Sequence, residues 1–374
     1  MIYMLTPGAH PDSPILSGIK YSVKVVLDNF YNTDILYLSY VDLETITNEK
    51  WTVLIQKIKI SVNINNIKLI LLDKTGDPDI LNKISYNSPS SLEMLDDLSK
   101  IVSSHIITED YYYFYNPTPN VIFFPYQLWI FNTKNIHKYY PYKFTQYDTS
   151  LTKTKSIMCL NRNLAWHRLF LFSLIVEKSW FDKINYSFLN KLNNRLTHPA
   201  IKLFLTNEDC DLIQSYDFLL PIKLKNEKDI NQLPFMYWNG GGSIDTPVYT
   251  ENAINLITET SLTEGVVITE KTCKSFMSYQ IPIIVGPVGV NKFLEDVGLD
   301  MFSDYVPWKI WDNETDHKLK IKKIVEFLDQ LLSSPNAEQD ILSTHQSFHT
   351  RLIKNKEYFH SKELENILLA QIKS

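Results

Sequence analysis

Arginine is nearly missing from this chain. Of 37 basic residues among 374, only Arg162, Arg168, Arg195 and Arg351 are arginines. Against 42 acidic residues the net charge is -5, so no overall positive field advertises nucleic-acid binding, although a local basic patch is still allowed. Cys159, Cys210 and Cys273 lie far apart without CxxC spacing and read as small core residues of a reducing compartment. The nine histidines form no HExxH or paired-ligand spacing, and there is no GxGxxG dinucleotide fingerprint. No apolar run reaches the roughly 20 residues of a membrane span. MIYMLTPGAH has neither the basic region nor the apolar core of a secretory signal. A soluble, cytoplasmic protein is expected.

What is present is an ordinary globular balance, 44% hydrophobic and 21% charged, long enough for two domains with their own cores. Lysine, Ile, Asn and Tyr are in surplus, as expected of an AT-rich genome such as that of a phage, a large DNA virus or a low-GC bacterium. Where drift favours Lys, a surviving Arg points to work that Lys cannot do, such as bidentate phosphate binding.

Strand and helix signals alternate through the first part. Apolar runs at 2–5, 35–40, 67–73, 105–108 and 121–124 read as strands, with helical patterns at 17–31, 50–61 and 90–101. That alternation predicts a mostly parallel, doubly wound sheet. Residues 141–155 are polar and poorly periodic, placing the boundary between a domain over 1–148 and another over 149–374. In the second, 156–160, 201–206, 255–260 and 281–285 read as strands and 164–178 as a helix. Helical patterns at 315–334, 337–356 and 361–372 close the chain.

The segment 255–298 organises the second domain. Ile281 to Val285 is apolar throughout, as in a strand buried on both faces. Thr269 suits an N-cap, with Cys273, Phe276 and Met277 following at helical spacing, and Gly298 sits where a helix C-terminal cap belongs. Lys271 opposes the helix dipole in the first turn, by a few tenths of a kcal/mol. It makes sense if an anion sits at that N-terminus. Glu270 then accepts from a ribose, or, in the plainer reading, pairs with Lys274 one turn on while Lys271 meets solvent. CLNRNLAWHRLF sets Asn161, Arg162, His167 and Arg168 at another strand-to-helix junction. Those arginines either clamp a diphosphate or, in the plainer reading, cap a helix or pair with Glu177 on the surface.

TET at 258–260, TEKT at 269–272 and GP at 286–287, together with CLNRNLAWHR, resemble the donor-binding segment of the alpha-1,3-fucosyltransferase family. They are more similar still to related glycosyltransferases of phages and large viruses. The likeness covers roughly 156–300. It implies two Rossmann-like domains facing a cleft, a GT-B fold, with a nucleotide-diphosphate sugar as co-substrate. By position, Lys271 and Arg162 or Arg168 would hold the diphosphate, with Asn161, Glu259, Thr269 and Glu270 completing the donor site. The family's catalytic Glu at a first-domain strand end maps to Glu109 in IITEDYYYFYNPTPNVIFF, although the family's Gly is missing and Asp110 replaces its Asn. Read from its position alone, Glu109 is equally an exposed strand-end carboxylate.

An inverting transfer needs a carboxylate base, Glu109 with Asp110 and Asp12 in reserve, and cations opposite the leaving diphosphate. The Arg/Lys set supplies the second without a metal, so no essential cofactor is expected. Asp77-Pro78-Asp79 and Asp209-Cys210-Asp211 match the DxD of metal-dependent transferases, at a frequency chance allows. The acceptor is either a glycan or a hydroxymethylated DNA base, the latter requiring base flipping. A binding module that has lost its base is the contrasting possibility.

Overall fold

In the computed structural model, the short apolar runs of the first part become five parallel strands. The structure describes residues 2–4, 35–39, 48–65, 69–73, 91–101, 105–108, 121–123, 151–161, 165–188, 192, 195–197, 199–222, 247–259, 262, 268–361, 363 and 366. The chain divides into two compact units, one of Met1–Pro141 with Glu264–Val267 and Ser361–Ser374, the other of Tyr142–Thr263 with Ile268–His360.

In the first unit, β1 (Ile2–Met4), β2 (Ile35–Ser39), β3 (Leu69–Asp73), β4 (His105–Thr108) and β5 (Val121–Phe123) lie in sequence order. Every neighbouring pair is parallel. Right-handed crossovers between strands in sequence order put their helices on one face. Accordingly α1 (Asn48–Asn65) and α2 (Ser91–Ile101) lie side by side, with Trp51 Nε1 donating to Asp97 at 2.9 Å. Trp51, Leu54, Ile58 and Leu98 are buried there. The doubly wound expectation is corrected for this unit: among the described strands the order never reverses.

The reversal occurs in the second unit. Its strands are β6 (Lys155–Asn161), β7 (Ile184–Phe188), β8 (Asn252–Thr258) and β9 (Ile281–Val285), in the order β7-β6-β8-β9, all parallel. Helix α3 (Trp166–Glu177) joins β6 to β7. α4 (Pro199–Lys202), α5 (Asn207–Ser215) and α6 (Pro247–Glu251) precede β8. α7 (Glu270–Met277) precedes β9, and α8 (Val290–Asp296) follows it. Helices α9 (His317–Leu332), α10 (Ala337–Ser347) and α11 (His349–His360) complete the unit.

All residues of β8 and β9 are buried, as helix-covered parallel strands require. The polar residues in β8 are matched rather than exposed. Asn252 Oδ1 accepts from Asn185 Nδ2 at 2.8 Å while its own Nδ2 donates to the Val248 carbonyl at 2.7 Å. Asn255 Nδ2 donates to Gln280 at 3.2 Å. Thr269 is the N-cap of α7, as its sequence position implied. Gly298 follows α8 at φ +108°, and a Cβ there would lie 3.0 Å from the Tyr358 ring of α11, so only Gly fits.

The strand expected at 201–206 is corrected. Pro199 starts the short helix α4 at the one position that wastes no N–H. Thr206 then caps α5 in a reciprocal box with Asp209. The missing edge strand is β7, whose Tyr186 and Phe188 pack with Phe172 of α3 at 5.8 and 5.7 Å. The helix expected over 337–356 is two helices that part at Phe348.

Candidate functional site

In an open parallel sheet, a crevice opens beyond the strand carboxyl ends where the order reverses. Here the reversal lies between β6 and β8, which end at Asn161 and Thr258. The two ends touch: Thr258 Oγ1 donates to Asn161 Oδ1, and Asn161 Nδ2 reaches Cys159 Sγ at 3.3 Å and the Tyr186 hydroxyl at 3.4 Å. Burial pushes the Cys159 thiol up to about 12 and the Tyr186 phenol well above its ordinary value, so both face Asn161 as neutral groups.

Glu259, one residue beyond β8, is the hub. Its main-chain carbonyl accepts from α3, from His167 Nε2 at 2.9 Å and Arg168 at 3.1 Å. Its carboxylate accepts from the start of α7: Thr269 N–H at 3.2 Å, Thr269 Oγ1 at 2.6 Å and Thr272 Oγ1 at 2.5 Å. One residue thus ties two helix N-termini across the reversal. A carbonyl only accepts, so His167 carries its proton on Nε2. Burial first, then Arg168, pushes that imidazole down to about 3, which keeps it neutral.

Complete burial raises the Glu259 carboxyl; Lys271 and the two threonine hydroxyls oppose the rise. With three donors turned to it and a lysine nearby, the group is arranged to accept as a carboxylate. This accounts for Lys271 in the first turn of α7. A carboxyl group does stand at that N-terminus, and it is the chain's own Glu259. The Lys271 ammonium, half-buried, lies 3.5 Å from Thr269 Oγ1. Arg168 and Lys271 therefore both act on Glu259, one through its carbonyl and one through its carboxylate.

The next helix repeats the device. Asp312 accepts from the Asn291 and Lys292 N–H groups of α8 at 3.0 and 2.9 Å. The N-cap residues of α3 and α8, Ala165 and Gly289, make no side-chain cap hydrogen bond, and among the described residues only α8 of these two has a distant carboxylate, Asp312, on its first N–H groups. Beside the start of α3, Trp166 stacks on Phe204 at 4.7 Å and 9° and lies 6.3 Å from His317.

Asn161, Arg168, Glu259, Thr269 and Lys271 are therefore gathered at one edge. Arg162 lies outside the described residues, as do Glu109, Asp110 and Asp12, and of Glu270 only the backbone is described. Thr272, Thr258 and Tyr186 belong to the same network and were not singled out from sequence. Thr272 carried a signal, three residues after the Thr269 cap on the helix face that meets a buried strand end. Of the two DxD matches, Asp77-Pro78-Asp79 lies outside the described residues. Asp209 is engaged by the α5 cap and by an ion pair with Lys318. Among the described residues no three His, Cys, Asp or Glu side chains are grouped to hold a metal, and no helix is long and apolar enough to cross a membrane.

No protein-family model matches the chain, and no curated protein does. Among solved structures it is similar to an alpha,alpha-trehalose 6-phosphate synthase from Burkholderia multivorans, at 9% identity over 96% of this chain and 74% of that one, with a TM-score of 0.34. A likeness at that level carries no argument about what this chain does, which rests on the residues at the sheet edge.

Proposed function

We propose that this chain is a glycosyltransferase that draws a sugar from a nucleotide-diphosphate donor bound at the β6/β8 reversal. The observation that supports it is the gathering of Arg168, Lys271 and the α3 N-terminus, whose N-cap Ala165 offers no side-chain acceptor, around the Glu259 hub, at the edge where open sheets bind ligands. Glu259, Thr269 and Thr272 of the TET and TEKT motifs are engaged with one another, so in this reading they brace the site and do not meet the donor. Lys271 is the member of TEKT that this reading assigns to the ligand.

In this reading the α3 N–H groups and Lys271, with Arg162, offset charge on the leaving diphosphate. Arg168 and His167 hold the Glu259 backbone in place. Glu109 takes the proton from the acceptor hydroxyl, with inversion at the anomeric carbon, and Asp110 and Asp12 are the reserves. The acceptor is a glycan or a hydroxymethylated DNA base. No metal step is required, since the cations are side chains.

A panel of nucleotide-sugars tested for thermal stabilisation decides the matter, because a ligand that binds only the folded chain raises its melting point by mass action. One nucleotide-sugar should stabilise the wild type and lose its effect in Lys271→Ala. Stabilisation by none of the panel would overturn the proposal.

A further inference from the structure

Given the donor-site reading, on which this rests, we infer that His317 is a further donor-contacting residue of the β6/β8 site, donating to a phosphate oxygen of the nucleotide's diphosphate. Crossovers from β6 to β7 and from β8 to β9 run opposite ways along the sheet, so right-handed connections put α3 and α7 on opposite faces. His317 is the first residue of α9, which lies on the α3 face and parallel to α3. Trp166 and His317 meet at 6.3 Å at the first turns, and Lys178 pairs with Asp329 at 2.9 Å towards the other ends. α7 packs instead on α11, through Phe276 and Phe359 at 6.0 Å. A ligand at the reversal meets Lys271 from one face and His317 from the other.

The ring has a proton to give. His167 and His345 each donate to a main-chain carbonyl, at 2.9 and 2.6 Å. The half-buried His317 makes no such bond among the described residues, and its Nδ1 is enclosed without a hydrogen-bond partner. An N–H enclosed without an acceptor loses its hydration and gains nothing, so the neutral ring carries its proton on Nε2. Burial, then Lys320, pushes the imidazole below its ordinary value against the pull of Asp316, which keeps it neutral at pH 7. It therefore meets a phosphate oxygen as a hydrogen-bond donor rather than as a second ammonium.

Its neighbours are committed to the fold. Lys318 pairs with Asp209 and lies 5.2 Å from the Phe170 ring centre. Lys320 donates to the carbonyls of Gly286 and Asp312, both at 3.2 Å. Asp316 accepts from the Lys318 and Leu319 N–H groups at 2.9 and 3.1 Å. Of the polar side chains in the first turn of α9, His317 is the one without such an engagement among the described residues. After burial, His167 is lowered by Arg168, then Lys271 and His317, so these groups share one neighbourhood at the start of α3.

Calorimetric titration with ADP, CDP, GDP and UDP, which carry the diphosphate that every such donor shares, tests it. For the one that binds, His317→Leu should weaken affinity by about 10–100-fold, the loss of a hydrogen bond to a charged group. His317→Gln keeps an N–H donor and should stay within about threefold of wild type. Both should melt within ~2 °C of wild type, since the ring makes no bond in the fold. Should His317→Leu fail to fold, His317→Glu takes its place: an acidic residue suits the first turn of a helix, and its carboxylate should weaken binding at least as much. Binding lost in Lys271→Ala but kept in His317→Leu or His317→Glu would overturn the inference and leave the donor site standing. Equal losses in His317→Leu and His317→Gln would also overturn it, because the ring's shape and not its N–H would then matter. Binding of none of the four nucleotides would overturn both readings.

Discussion

Two buried hydroxyls one turn apart on α7 make a controlled comparison. Thr272 Oγ1 and Ser275 Oγ belong to residues with 0% exposure. The first donates to Glu259 at 2.5 Å, whereas the second has no hydrogen-bond partner. Thr272→Val keeps the shape and the branched Cβ, so packing is preserved and one hydrogen bond to a charged group is lost. That loss costs about 1.5–3 kcal/mol, because it leaves a buried carboxylate oxygen short of a donor. Ser275→Ala removes a buried hydroxyl that bonds nothing, and its effect should be near zero or slightly stabilising. Urea unfolding of both variants should separate them by at least 1.5 kcal/mol, or ~3 °C or more in melting point. Equal stabilities would refute the account of Glu259 as a carboxylate held by α7.

Lys271→Ala should weaken binding of the stabilising nucleotide-sugar by about 1.5–3 kcal/mol, the worth of a hydrogen bond to a charged group, read by calorimetry. Glu109→Gln should lower turnover by about 10²–10⁴-fold with donor affinity nearly intact, and wild-type activity should persist in excess EDTA. Activity lost to EDTA and restored by manganese would favour a metal-dependent route instead. His167, held at about 3 when folded against an ordinary 6.5, binds fewer protons folded than unfolded between those values. Its share of stability is therefore complete above pH 6.5 and is lost as pH falls towards 3. His167→Gln keeps a donor for the Glu259 carbonyl and should flatten the acid limb of the stability profile by up to about 1.4 kcal/mol per pH unit. An unchanged limb would show that this imidazole is not buried neutral.

The elements nearest the site were the most legible. β9 and the α7 cap follow directly from an unbroken apolar run and a threonine before helical spacing. β7 was hidden because INYSF is short and half polar, and its pairing is decided by packing against Phe172 rather than by local pattern. The run at 201–206 looked like a strand because the cap at Thr206 and the start at Pro199 act from its two ends. From sequence, Lys271 implied an anion at the α7 N-terminus, and the acidic side chain found there is Glu259. That Glu259 stands there was not legible, because ten residues separate its carboxyl group from the Thr269 N–H it receives, and only the fold brings them together.

The bond between Glu259 and Thr269 also fastens the two ends of the stretch that joins β8 to α7. The closure of that stretch is therefore made by the chain itself, with Leu262 buried within it. Doubling a loop's length adds only ~0.6 kcal/mol of closure entropy. The clasp between Glu259 and Thr269 therefore acts as a local staple, setting where β8 ends and α7 begins whatever the closure entropy between them.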